Sequence, residues 1–180
     1  MASPANSYIK CVTYNMHGFN QGVAMLHELC LSYDIILCQE HWLLTSQLEK
    51  ISNLSSDFHC VSVSSTDDIC GRGVLRGRPF GGLATFVRKS VSNEVQHILK
   101  TDRIIGIKVG HCIFINVYFP MYTNSSSYQS EVDCLLSELY SVICDNNQCS
   151  VILAGNFNLN FVDGKSRSNA VNKFVSSANL

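Results

Sequence analysis

The chain has 180 residues, of which 46% are hydrophobic and only 15% charged, and its formal net charge is −1. This length suits one domain with a packed core, and the balanced charge excludes the strong overall positive field of a basic nucleic-acid-binding protein. No apolar run reaches the roughly 18 residues that cross a membrane, and Met1 to Lys10 lacks a signal-peptide core. The nine cysteines form no C-x-x-C pair, which is typical of a reducing compartment. We therefore expect an intracellular protein, nuclear or cytoplasmic, with no membrane partner.

The first part of the chain alternates between strand and helix patterns. Apolar spacing predicts, in chain order, a strand over Ile9–Tyr14, a helix over Gln21–Tyr33, a strand over Asp34–Glu40, a short helix over Thr45–Leu54 capped by Thr45, and a strand over Phe58–Val63. A β-α-β beginning of this kind favours an α/β or α+β sandwich. We interpret His17 and His41 as polar loop residues.

The second part begins with a polar, glycine-rich and basic segment, Ser64–Phe80, which we interpret as a long functional loop. Strands then follow over Leu83–Arg88, Glu94–Lys100, Ile104–Val109 and Cys112–Phe119, and after them a helix over Tyr128–Cys144, a fully buried strand over Val151–Ala154, and a helix over Ser166–Val175. Most basic residues lie between Arg72 and Lys108, so one face is either locally basic or simply solvated.

A carboxylate follows the most apolar of these strands. The run Ile35–Cys38 predicts a strand buried on both faces, and Glu40 stands at its end. A carboxylate there is costly unless something pairs with it, and a divalent cation is one suitable partner. Three other predicted strands also end in polar side chains, namely Asn15, Tyr118, and the pair Asn156 and Asn158. We expect these four strand ends to meet at one site.

Five short motifs at or near these strand ends carry a family resemblance. They are Tyr14-Asn15-Met16-His17-Gly18, Ile36-Leu37-Cys38-Gln39-Glu40, Gly81-Gly82-Leu83-Ala84, Asn116-Val117-Tyr118-Phe119-Pro120 and Gly155-Asn156-Phe157-Asn158. In this order they resemble the endonuclease/exonuclease/phosphatase superfamily, which has the DNase I-like fold. Gln39–Leu43 and Gly77–Gly82 resemble the endonuclease domain of LINE-type non-LTR retrotransposons in particular. The resemblance implies one α/β domain over 1–180, a sandwich of two mixed or antiparallel sheets flanked by helices.

The resemblance also implies a role for each matched side chain. Glu40 corresponds to the metal-binding Glu, with Mg²⁺ or Mn²⁺ as the cation and DNA as the partner. Asn15 lies beside the metal, the Tyr118 hydroxyl contacts the scissile phosphate, and Asn158 helps to hold that phosphate. The alternatives remain open: a capping or solvated Glu, turn-forming Asn residues and a core Tyr would have the same sequence.

Two departures from the family pattern predict weak or absent catalysis. Asn156 stands where the family has the Asp proposed as general base, and loss of such a base costs about 10²–10⁴-fold. The chain also ends without the Ser-Asp-His motif, so we expect it to lack the last strands of the domain, to be incomplete at its C-terminus and to bind its cation weakly. The missing strands should leave an exposed sheet edge.

Three functions follow from these residues. The first is a Mg²⁺-dependent DNA endonuclease, impaired here, with Arg72, Arg76 and Arg78 contacting phosphates of the nucleic acid. The second is a phosphatase or phosphodiesterase of the same fold that acts on phosphoinositides or sphingolipids. The third is a non-catalytic remnant that binds nucleic acid or protein.

Overall fold

The structure, a computed structural model, describes residues 8–66, 80–92, 94–123, 127–159, 166–178 and 180, with only the backbone described at 166–168. Over these ranges the strands are β1 (Cys11–Asn15), β2 (Ile35–Gln39), β3 (Phe58–Val63), β4 (Leu83–Arg88), β5 (Gln96–Lys100), β6 (Ile104–Val109), β7 (Cys112–Tyr118) and β8 (Ser150–Asn156). The α-helices are α1 (Phe19–Ser32), α2 (Glu49–Ser52), α3 (Ser127–Asp145) and α4 (Ser166–Ser177).

The strands form two four-stranded mixed sheets. The first has the order β1-β2-β4-β3 and the second the order β5-β6-β7-β8. Each sheet contains one parallel pair, β1 with β2 and β7 with β8, whereas its other neighbours are antiparallel. Parallel neighbours need a crossover, and α1 and α3 provide it. The carboxyl ends of each parallel pair therefore lie side by side.

Apolar side chains fill three layers between and outside the sheets. The inner layer packs Ile35, Leu37 and Val87 of the first sheet against Ile105 and Ile107 of the second. Outside the first sheet, α1 and α2 cover one apolar face, and α3 and α4 cover the outer face of the second sheet. This arrangement confirms the predicted sandwich of two mixed sheets flanked by helices.

A pair of buried amides joins the two sheets within the inner layer. Gln39 is 1% exposed and Asn116 0%. The Gln39 Nε2 donates to Asn116 Oδ1 at 2.8 Å, and the Asn116 Nδ2 donates to the Cys38 carbonyl oxygen of the opposite sheet at 3.0 Å. Their hydrogen bonds compensate for the cost of burying them. Because each amide reaches across to the other sheet, the pair sets how the two sheets are positioned against each other.

Two local predictions were wrong. The strand β8 is not fully buried: Ile152 is 41% exposed, because β8 lies at the edge of the second sheet and pairs, among the described residues, only with β7. Thr45 is not a cap. It begins a short 3₁₀ helix over Thr45–Gln47 that has Leu44 at its N-cap, and α2 starts only at Glu49.

No described helix combines the length and the apolar character that a membrane crossing requires.

Candidate active site

The register of the two parallel pairs places the predicted site residues at one edge of the sandwich. Asn15 is aligned with Gln39, the residue before Glu40, at the end of the first sheet's pair. Tyr118 is aligned with Asn156 at the end of the second sheet's pair. Since β1 and β2 both contact β8 across the sandwich, these two ends are neighbours. Side chains far apart in sequence therefore meet.

The Glu40 carboxylate is the centre of this cluster. Its Oε1 accepts hydrogen bonds from Asn15 Nδ2 at 2.7 Å and from Asn156 Nδ2 at 2.9 Å. Its Oε2 lies 3.8 Å from His17 Nδ1, and the side chain is 14% exposed. Amide donors to an ionised oxygen form charge-assisted hydrogen bonds. The carboxylate that the sequence predicted to need a partner thus has two, one from each sheet.

Both asparagines are oriented in the same way by the turns that follow their strands. Asn15 Oδ1 accepts from the His17 backbone N–H at 3.1 Å, and Asn156 Oδ1 accepts from the Asn158 backbone N–H at 3.0 Å. An Asn that bonds to the backbone two residues on stabilises a turn of this kind. With the oxygen used locally, each amide presents only its NH₂ group to Glu40.

The turns hold several residues in the left-handed backbone region, which is uncommon outside glycine. His17 has φ 50°, Asn158 φ 48°, and both Glu40 and Trp42 φ 58°. The Gly18 backbone N–H donates to the Glu40 carbonyl oxygen at 2.8 Å, and the Trp42 N–H donates to the Gly81 carbonyl oxygen at 3.0 Å. Strained backbone of this kind concentrates at functional sites, where the surrounding bonds maintain it.

Tyr118 and Asn158 form the other wall of the site. Asn158 Nδ2 donates to the Phe119 carbonyl oxygen at 2.7 Å, which fixes the turn after β8. Burial raises the pKa of Tyr118, and the Glu40 charge raises it further against the opposing effects of Arg103 and Asn158. The phenol therefore stays protonated at neutral pH and can act as a hydrogen-bond donor. The residue as a whole is buried, at 5% exposed, and packs in the inner layer between the sheets.

Arg103 is a neighbour of the site that the sequence interpretation missed. Its guanidinium lies 5.4 Å from the centre of the Tyr118 ring, within cation–π range. One guanidinium nitrogen pairs with Glu131 at 2.8 Å, and the side chain is 16% exposed. No sequence motif marks this residue. Only the antiparallel pairing of β6 with β7 brings its backbone beside Tyr118, whose N–H donates to the Arg103 carbonyl oxygen at 2.9 Å.

His41 lies in the loop after β2, as we predicted, but it is buried and does not face solvent. Its side chain is fully buried, with Nε2 at 3.0 Å from the Val63 carbonyl oxygen and Nδ1 accepting from the Leu43 N–H at 3.0 Å. Burial lowers its pKa to about 4. These contacts require the neutral ring with its proton on Nε2. The ring packs over Gly82, where an added Cβ would lie 2.4 Å from it. His17, by contrast, has an exposed side chain.

Among the described residues of the site, one carboxylate oxygen could serve as a cation ligand. The described residues contain no group of three or more His, Cys, Asp and Glu side chains that would form a complete metal cage. Glu40 Oε2 is not engaged by either amide, and a carboxylate oxygen is a ligand that hard cations prefer. Because both amide NH₂ groups point at Oε1, the amide oxygens are not directed at the same place. Arg72, Arg76 and Arg78 lie outside the described residues.

A family model matches most of the chain. The model of the endonuclease/exonuclease/phosphatase family matches residues 12–175, which is most of the chain. The chain belongs to this family. The match covers every element from β1 to most of α4, including Glu40 and the two asparagines bound to it. No curated protein sequence matches the chain.

Solved structures of nucleic-acid enzymes share the fold of this family member. The AP endonuclease LMAP from Leishmania major has a TM-score of 0.72 at 12% identity, over 95% of this chain and 67% of its own. An AP endonuclease from Archaeoglobus fulgidus has a TM-score of 0.67 at 18% identity, over 94% of this chain and 71% of its own. The 3′ phosphatase NExo from Neisseria, bound to a product DNA hairpin, has a TM-score of 0.64 at 21% identity, over 87% of this chain and 60% of its own. The chain thus spans about 60% of this last structure, and at these identities the likeness shows the fold alone.

Proposed function

We propose that this family member is a divalent-cation-dependent hydrolase of phosphodiester bonds in DNA, with activity reduced by Asn156. The observation that supports the proposal is the convergence of Glu40, Asn15, Asn156, Tyr118 and Asn158 at one edge of the sandwich. Proteins of the same fold include AP endonucleases and a 3′ phosphatase bound to a DNA hairpin. DNA is therefore the substrate class to test first.

Glu40 would hold Mg²⁺ or Mn²⁺ through Oε2, the oxygen that the amides leave unengaged. Such a cation neutralises charge on the phosphate and lowers the pKa of bound water. Asn15 and Asn156 fix the carboxylate in place, and the protonated Tyr118 hydroxyl donates to a phosphate oxygen. Asn158 maintains the turn that presents this wall through its bond to Phe119.

Asn156 sets the expected level of activity. An amide nitrogen has no basic lone pair, so the residue cannot accept a proton from water, and loss of a general base typically costs about 10²–10⁴-fold. In this chain the residue donates to Glu40 instead. This closed hydrogen-bond arrangement also favours a second candidate function, a non-catalytic DNA-binding remnant. Descent from a LINE-type retrotransposon endonuclease remains a proposal that rests on the Gln39–Leu43 and Gly77–Gly82 motifs.

Plasmid nicking tests the proposal. We expect slow conversion of supercoiled DNA to open circle in Mg²⁺ or Mn²⁺ and none in EDTA. Glu40→Gln should abolish the conversion, whereas Glu49→Gln, which removes an exposed carboxylate at the start of α2, should not change it. Activity that persists unchanged in Glu40→Gln would refute the assignment. Binding of DNA with no cation-dependent nicking would support the remnant instead, and turnover of a phosphoinositide or sphingomyelin but not DNA would support the lipid-directed alternative.

A further inference from the structure

A recess lies beside the candidate active site, and the hydrolytic arrangement makes no use of it. It has a volume of about 200 Å³. It is bounded by residues 18–21 at the start of α1 and by His41, Trp42, Leu43, Gln47 and Lys50. We name it the Trp42 recess, after the indole in its wall. Gln47 and Lys50 contribute polar side chains to its wall.

The recess and the carboxylate share one loop. His17 Nδ1 lies 3.8 Å from Glu40 Oε2, and the next residue, Gly18, contacts the indole of Trp42: a Cβ at Gly18 would lie 2.6 Å from Trp42 Cε3. Because consecutive residues of the loop touch the carboxylate and the indole, the two side chains border adjoining spaces. A polymer bound at Glu40 would therefore extend into the recess with its next unit.

The indole is held in place yet only partly buried. Trp42 has φ 58°, its backbone N–H is bonded to the Gly81 carbonyl oxygen, and its neighbours His41 and Leu43 are both buried. The left-handed backbone at Trp42 brings a large aromatic group to the wall of an open recess, a conformational cost of the kind found at ligand-binding positions.

The other side chains of the recess suit a charged and polar ligand. Lys50 is exposed and supplies an ammonium group, and Gln47 supplies an amide. Ammonium groups bind phosphate oxygens, and aromatic faces stack on nucleobases of any sequence. A recess smaller than the roughly 300–1,000 Å³ of ordinary ligand pockets takes one unit of a polymer and not a whole free ligand.

We propose that the Trp42 recess binds a nucleotide next to the scissile phosphate, with its unpaired base stacked on the indole of Trp42 and its phosphate at Lys50. This inference rests on the proposed function, since it assumes that the Glu40 site receives a nucleic-acid strand. It adds a requirement: the strand enters with at least one base unstacked, so single-stranded or distorted DNA binds better than an intact duplex.

The protein provides its own probe, because Trp42 is the single tryptophan of the chain. Short single-stranded oligodeoxynucleotides are titrated into the protein in EDTA, which prevents cleavage, and both tryptophan emission and the anisotropy of a 5′-labelled oligonucleotide are recorded. We expect saturable quenching of the emission with the same dissociation constant as the anisotropy, and weaker binding of the matched duplex.

Substitutions separate stacking from general charge attraction. Trp42→Leu should raise the dissociation constant measured by anisotropy at least fivefold, as loss of one base–aromatic stack predicts, and Trp42→Phe should recover most of the affinity. Lys50→Gln should raise it severalfold and lower its dependence on salt. Lys89→Gln removes an exposed lysine after the far end of β4. It should leave the dissociation constant and its dependence on salt unchanged.

Three results would overturn the inference. They are oligonucleotide binding seen by anisotropy with unchanged tryptophan emission, equal effects of Lys50→Gln and Lys89→Gln, and no oligonucleotide binding by either measurement. Each would refute the recess alone, because the proposed function is decided separately by plasmid nicking in Mg²⁺ or Mn²⁺. Circular dichroism of each variant verifies that it is folded. If Trp42→Leu does not fold, Trp42→Phe and Lys50→Gln still test the recess.

Discussion

Replacing Asn156 by Asp should turn a site with one hydrogen-bonded carboxylate into a site with two carboxylates, which a cation would stabilise. Asn156 Nδ2 donates to Glu40 Oε1 at 2.9 Å. In the Asn156→Asp variant this donor is lost and a second carboxylate faces the first. Two carboxylates in such contact cannot both remain ionised without cost, and they titrate as a pair.

The size of the effect has an upper bound that follows from this geometry. At 2.9 Å the repulsion is about 6 kcal/mol with an effective dielectric constant of about 20, and the lost charge-assisted bond adds about 1.5–3 kcal/mol. The protein avoids about half of this by binding one proton, which at pH 7 costs about 3.7 kcal/mol for a carboxyl of ordinary pKa near 4.3. We therefore expect Asn156→Asp to lower the free energy of unfolding by about 4 kcal/mol at pH 7 in EDTA.

The sign of the pH dependence is specific to this cause. The folded variant holds a proton that its unfolded chain has released at pH 7, so its deficit should shrink as the pH falls toward 4. A divalent cation between the carboxylates should offset part of the same deficit at neutral pH. At ten times its dissociation constant a cation bound only by the folded state adds about 1.4 kcal/mol.

Urea unfolding followed by circular dichroism measures the loss of stability in EDTA, its dependence on pH and its recovery in Mn²⁺. The parent and the variant are compared under each condition. Asn147→Asp is the matched control, because it adds the same charge at an exposed position. Equal unfolding midpoints for Asn156→Asp and the parent in EDTA at pH 7 would show that Asn156 and Glu40 are not in contact.

Three further predictions concern the surroundings of the site. Burial lowers the pKa of His41 from 6.5 to about 4, so between these pH values the unfolded chain binds a proton that the folded chain does not. The free energy of unfolding should therefore fall by about 3 kcal/mol as the pH drops from 6.5 to 4. His41→Gln should abolish this loss. Gly155→Ala should cost more than about 3 kcal/mol in urea unfolding, because its φ is +147° and a Cβ would lie 2.1 Å from the Val117 carbonyl oxygen. The parent chain should bind Mn²⁺ weakly, as seen by paramagnetic line broadening, and Glu40→Gln should not; equal broadening in both would place the cation elsewhere.

The sequence predicted the strand ends well because they depend on local patterns. The apolar run Ile35–Cys38 marks a strand that is buried in the structure, and Glu40 follows it as expected. The asparagines at the ends of β1 and β8 also fell at a common edge, because parallel pairing brings matching strand ends together. Periodicity and chain order are sufficient for such expectations.

The features that the sequence did not reveal depend on tertiary context. Val151–Ala154 has the composition of a buried strand, and only its place at a sheet edge leaves Ile152 exposed. His41 is buried because the turn after β2 folds back over Gly82, which no spacing rule indicates. Similarly, the left-handed backbone of Trp42 follows from bonds to a distant loop, since its N–H reaches Gly81.

The amide pair of Gln39 and Asn116 has a consequence for how the molecule opens. Each amide is bonded to the other sheet, so neither sheet can separate without exposing unpaired donors on both. The two halves should therefore unfold as one cooperative unit, and backbone amides of β2 and β7 should exchange with solvent at the same, global free energy. Replacing either amide by Leu should divide the exchange into two steps, with one sheet more protected than the other. A site assembled from both sheets then persists only as long as the whole domain does.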